Sequence, residues 1–197
     1  MHLLFGLLMA AAAAGQPVAE IFLPNMNDHG VNRALGLARG VVEDVYADIG
    51  VQVVWRIGNT PPSGCEKKPG RRQIVFDLKF GIAKGRNPDA LAFAQPYLHE
   101  GSCVTLLMDR LHEEAARNPD TTGILLGNVL AHEIGHVLQG IERHSETGLM
   151  KARWSARDIR EMWRTPLRFS DIDVELVLEP FRVFPSQGIS QGAGRAH

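Results

Sequence analysis

Apolar and polar positions recur along this chain with two periods, and each change of period marks an element. Glu20-Ile21-Phe22-Leu23 reads as a short strand stopped at Pro24. From Val31, apolar residues at Leu35, Ala38, Val42, Val45 and Ile49 follow at steps of four and three, which places them on one face of a helix. Gly50 ends that helix. Val51, Val53, Trp55 and Ile57 then alternate with Gln52, Val54 and Arg56 as a second strand. Strand, helix and strand with short joints make a βαβ unit, hence two parallel strands under a covering helix.

Residues 58–72 carry Pro61, Pro62, Gly64, Pro69 and Gly70 and form a loop, whose basic cluster (Lys67, Lys68, Arg71, Arg72) reads as a solvated surface. Ile74, Phe76, Leu78 and Phe80 alternate as a third strand. The short piece from Leu91 to Gln95 is cut off by Pro96 and suits a sheet edge. Val104 to Met108 reads as a strand buried on both faces, and Leu111 to Arg117 as a brief helical link. A long helix is expected over 121–140, with Asp120, Thr121 or Thr122 as its cap and Gly140 as the left-handed residue that stops it. Gly123, Gly127, Ala131 and Gly135 form a stripe on it that admits close approach of another backbone, either the sheet or the first helix. Two shorter helices follow, Trp154 to about Trp163 and Phe169-Ser170-Asp171 through Leu178, and a Gly-, Ser- and Gln-rich tail begins at Pro185.

The 197 residues suffice for one domain with a sizeable core. Lys plus Arg (21) nearly balance Asp plus Glu (22), so the chain has no electrostatic footprint for nucleic acid. The apolar run from Leu3 to Ala14 is too short to span a bilayer and ends in small residues, the pattern of an export signal cleaved after Ala14 or Ala19. A buried N-terminal helix is the plainer alternative. Cys65 and Cys103 fit one disulfide in an exported protein, against two separate thiols or a cysteine that reaches a metal.

Candidate chemistry concentrates at His132-Glu133-Ile134-Gly135-His136. On a helix the two histidines lie one turn apart on one face, so both imidazoles can address one ion, with Glu133 on the rim of that face. Zinc takes neutral imidazole nitrogens, and a catalytic zinc keeps three protein ligands plus an open position for water. The candidate third ligand is His144, just past Gly140. Glu161, on a later helix, is the alternative. His29, His99 and His112 are isolated and read as surface or capping histidines, and Glu142 and Glu146 as solvated. Glu133 would be the general base of metal-assisted amide hydrolysis, and no Gly-x-Ser-x-Gly competes for the role.

The run from His132 to His144, followed by Gly148-Leu149-Met150, resembles the metzincin zinc peptidases, in particular short exported bacterial metzincin-like proteins. The likeness covers about residues 20 to 165. It implies His132, His136 and His144 as zinc ligands, Glu133 as general base and Met150 as the methionine of a turn beneath the zinc. It further implies an α+β fold: a mixed, twisted, mostly parallel sheet with an antiparallel edge strand, a backing helix, an active-site helix and a small helical C-terminal subdomain. The expected division is a signal peptide over 1–19, an N-terminal catalytic subdomain over 20–140, a C-terminal subdomain with the Met-turn over 141–184, and a flexible tail over 185–197. Such a protein would be a secreted or periplasmic monomer acting on peptides or proteins, without a stable membrane span. Familiar metzincins place the glycine three residues after the second histidine and the third histidine three later. Here both gaps are four, and no tyrosine follows Met150. A zinc-bearing binding or structural module, and a hydrolase of a non-peptide amide, are the rival function classes.

Overall fold

The structure is a computed structural model that describes residues 16–58, 72–81, 90–95 and 103–182. Five strands fall within it: β1 (Val18–Leu23), β2 (Gln52–Ile57), β3 (Gln73–Lys79), β4 (Ala92–Gln95) and β5 (Cys103–Leu107). They form one sheet in the order β2-β1-β3-β5-β4. Every pairing is parallel except β4 with β5, so β4 is the antiparallel strand at one edge. The described residues also hold α1 (His29–Asp48), α2 (Met108–Arg117), α3 (Pro119–Gln139), α4 (Ala156–Met162) and α5 (Asp171–Leu178). This is a mixed α/β architecture, and the β1-α1-β2 unit stands where the hydrophobic periods require it. None of the described helices is long and apolar enough to cross a membrane.

β1 begins at Val18, and Ala19 is fully buried and paired in register with Val53. A cleavage after Ala19 would therefore cut into the strand, whereas Ala14 precedes it. β5 is buried along its whole length and runs directly into α2 at Met108, which begins the helix rather than ending the strand. Cys103, on β5, is disulfide-bonded. Cys65, the other half of the expected bridge, lies outside the described residues, as do His99, the loop at 59–71, the N-terminal apolar run and the tail from Pro185.

The cap of α3 differs from expectation. Asn118, rather than Asp120, Thr121 or Thr122, accepts hydrogen bonds from the backbone N–H groups of Asp120 and Thr121. Pro119 then occupies the first helical position, where a missing N–H costs nothing and a fixed φ favours the helix. At the other end Gly140 adopts φ +68 and stops α3 as expected.

The small-residue stripe packs α3 onto α1. A methyl group at Gly123 would lie 2.8 Å from the Ala34 carbonyl oxygen, and one at Gly127 would lie 2.5 Å from Val41 Cβ. Each interior glycine costs about 1 kcal/mol in helix propensity, and the close helix contact it permits offsets that. Between these glycines and the site, the buried Tyr46 hydroxyl of α1 donates to the Ala131 carbonyl at 3.0 Å. The stripe ends differently: at Gly135 the neighbour is Met150 Sδ, 2.8 Å from where a Cβ would stand. One face of α3 thus rests on α1 for its first three turns and on the Gly148–Met150 turn for its last.

Candidate metal centre

His132 and His136 lie one turn apart on α3 and are both buried. Their Nε2 atoms are 3.0 Å apart. The Nδ1 atom of His132 is 2.9 Å from the Leu149 carbonyl oxygen, and that of His136 is 3.1 Å from the Ile141 carbonyl oxygen. A carbonyl can only accept, so each Nδ1 carries the proton and each Nε2 presents a lone pair. Two lone pairs aimed at one point repel unless a cation lies between them. Backbone carbonyls that fix the tautomer in this way are the usual outer partners of metal-bound histidine.

His144 completes the group. Its imidazole centroid is 5.5 Å from that of His132 and 4.9 Å from that of His136. One nitrogen from each of the three rings lies within 4.8 Å of the others, an arrangement that could hold a metal ion. The four-residue gaps on either side of Gly140 do not carry His144 away from the other two histidines. Glu161, the alternative third ligand, is elsewhere: it sits exposed on α4 beside Arg157. His29 and His112 also stand apart from the cluster; His112 bonds the Met108 carbonyl of its own helix.

The donor set fits zinc. Zinc–nitrogen bonds of about 2.0–2.1 Å at a tetrahedral angle put two ligand nitrogens about 3.3 Å apart, close to the separation seen between His132 and His136. Both buried imidazoles are biased toward the neutral form that a metal needs. Burial pushes His132 down to about 4 against a smaller upward push from the Leu149 carbonyl. His136 is lowered for the same leading reason.

Beside His132, Leu149 and its neighbour Met150 are fully buried. The turn that holds them depends on Gly148, whose φ of +73 suits glycine and whose Cα faces the Arg168 carbonyl too closely for a side chain. The backbone N–H of Leu149 donates to that same Arg168 carbonyl at 2.7 Å. The Leu149 carbonyl accepts from Trp154 Nε1 at 3.1 Å as well as from His132. Trp154 stays outside α4, which Ser155 caps together with Asp158.

Glu133 faces the sheet edge. Its Oε2 accepts a hydrogen bond from the backbone N–H of Ala94 on β4, at 2.5 Å. The carboxylate therefore sits against β4, the strand at the sheet edge among the described residues. A cavity of about 900 Å³ opens beside it, with Leu125, Val129 and Trp154 among its apolar walls and His132 and Glu133 in its lining. Leu125, Val129 and His132 line it together because they share one face of α3. The Leu149 and Ile141 carbonyls were not foreseeable from residue types, since any residue supplies a carbonyl. No family model matches this chain, and no curated protein matches it.

Proposed function

We propose that this chain is an exported zinc-dependent endopeptidase of the metzincin kind. The observation that carries the reading is the convergence of three imidazoles, one of them on a loop, with the carboxylate of the adjoining Glu133 set against β4. A structural zinc usually has four protein ligands, whereas this cluster offers three among the described residues and borders a cavity. His132, His136 and His144 would hold the ion, which when bound supplies Lewis acidity toward water and the scissile carbonyl.

The chain's own groups do the rest. Glu133, beside the histidines, takes the proton of the attacking water on a carboxylate oxygen and passes it to the leaving amine. The Leu149 and Ile141 carbonyls keep His132 and His136 in the tautomer that presents Nε2. β4 offers its outward edge, on the side where Ala94 meets Glu133, for an extended peptide to add as a further strand. The segment from Lys151 to Trp154 lines the cavity and would select the residue beyond the scissile bond, so Trp154→Ala is expected to change cleavage preference; an unaltered preference counts against that role. Export is supported by the apolar N-terminal run and by the disulfide at Cys103.

The test pairs metal analysis with cleavage of a mixed peptide library by wild type and Glu133→Ala. The expected result is about one zinc per chain in both proteins, as a three-ligand site requires, and hydrolysis in wild type alone. Zinc without hydrolysis in wild type would favour a binding module over an enzyme. Hydrolysis confined to small non-peptide amides would reassign the substrate.

A further inference from the structure

His132 and His136 are each held by a carbonyl, but the His144 ring has no hydrogen bond among the described residues and is exposed. Its position is therefore set by its backbone, and so by its two neighbours in sequence. Both of them reach the same distant carboxylate. Arg143 Nη1 donates to Asp173 Oδ1 at 2.8 Å, and Ser145 Oγ lies 2.7 Å from each Asp173 oxygen. Asp173 is fully buried on α5, where it also accepts from Ser170 Oγ at 2.6 Å within the capping box of that helix.

A buried carboxylate is costly unless it is paired and hydrogen-bonded, and three side chains meet that requirement here. Burial alone would raise the Asp173 pKa, but the bonds from Ser145, Ser170 and Arg143 outweigh it, and the group stays ionised. Ser145 is also tied through its backbone N–H to the Met150 carbonyl at 2.7 Å. The loop is thus pinned on both sides of His144 and to the Gly148–Met150 turn.

We infer that Asp173 is a positioning residue for the metal site: through Arg143 and Ser145 it seats His144, and so takes up the extra residues on either side of Gly140. This rests on the reading of the three histidines as a metal site. It assigns α5 the role of completing a site that α3 begins, with no contact between Asp173 and the ion.

The test is a double-mutant cycle on the full chain, reading zinc dissociation constants by competition with a chromogenic chelator for wild type, Asp173→Asn, His144→Ala and the double variant. Asn keeps the volume and removes the charge. Asp173→Asn is expected to weaken zinc binding by about 10-fold or more, the scale of lost outer-shell support. It should weaken binding no further once His144 is gone. Ser145→Ala, a milder change, is expected to act in the same direction with a smaller effect, and the same cycle run with it decides the matter if Asp173→Asn does not fold. Wild-type affinity in Asp173→Asn, or an equal loss in the His144→Ala background, would overturn the inference, because damage to the fold would lower both backgrounds alike. A wild type that binds no zinc would remove the metal site itself, an outcome distinct from zinc binding that depends on His144 but not on Asp173.

Discussion

α3 and the segment that follows it build one cluster by opposite means. On α3, two histidines four residues apart converge because the helix period brings them together. Past Gly140 nothing local aims His144 or Met150. They are held by Asp173 of α5, by the Arg168 carbonyl and by contact with Gly135. The convergence of the helical pair is set within five residues of sequence, though distant carbonyls fix the two rings; the other half draws on partners spread from Gly135 to Asp173. A short motif on one helix sets where such a cluster starts, and tertiary contacts decide whether it closes.

The largest expected effect comes from breaking the helical half. His136→Ala should abolish zinc retention on dialysis and reduce hydrolysis to background. Loss of affinity should exceed the about 100-fold that outer-shell changes cost. His144→Ala should also weaken zinc strongly, and retention equal to wild type would mean that the loop half does not ligate. Next in size, Glu133→Gln should lower hydrolysis by about 10²–10⁴-fold, the usual contribution of a general base, while zinc content stays at the wild-type level. Parallel loss of zinc would show that the carboxylate supports the site rather than the chemistry.

Two glycines separate the halves by a smaller effect. Gly127→Ala pushes a methyl into Val41 and should destabilise the fold by about 1–3 kcal/mol through overpacking, with zinc affinity unchanged in the folded protein. Gly135→Ala pushes against Met150 Sδ and should instead lower zinc affinity. Chemical denaturation and zinc titration of both variants check the contrast, which fails if the two behave alike.

The smallest effect is on pH. His132 is held near pKa 4 in the folded chain, below the about 6.5 of an unfolded histidine. Between those values the unfolded state binds more protons, so the stability of the metal-free protein should fall as pH drops from about 6.5 toward 4. His136, also lowered, adds in the same sense. Denaturation midpoints at pH 7.5 and 5 measure this, and a His132→Gln variant should show a shallower fall. Equal slopes would mean that the buried imidazole is not the group responsible.

The same contrast explains what was legible in the sequence. Period-two and period-3.6 patterning is local, so β1, α1, β2, β3 and α3 could be placed from it, and the proline after Gln95 was enough to put β4 at the edge. The convergence of His132 and His136 needed only helix geometry. Strand order and the antiparallel sense of β4 depend on pairings between distant segments, which periodicity does not carry. One single-residue assignment is corrected for a physical reason, and one alternative falls away. Asn118 caps α3 in place of the later polar residues because Pro119 fits the first turn. Glu161 was a plausible ligand by type, but α4 turns it toward Arg157. Asp173 was hidden in plain view: Ser170-x-x-Asp173 is a capping box, which accounts for an aspartate there so well that nothing in the sequence points to its bonds with Arg143 and Ser145.

On the proposed function, the two halves share one zinc. Anomalous scattering at the zinc edge from crystals of the zinc-loaded protein tests it most directly. The expected result is a single peak about 2.0–2.1 Å from a nitrogen of each of His132, His136 and His144, the zinc–imidazole distance. A peak held by His132 and His136 with any third protein ligand other than His144, or no peak at these residues, would contradict it.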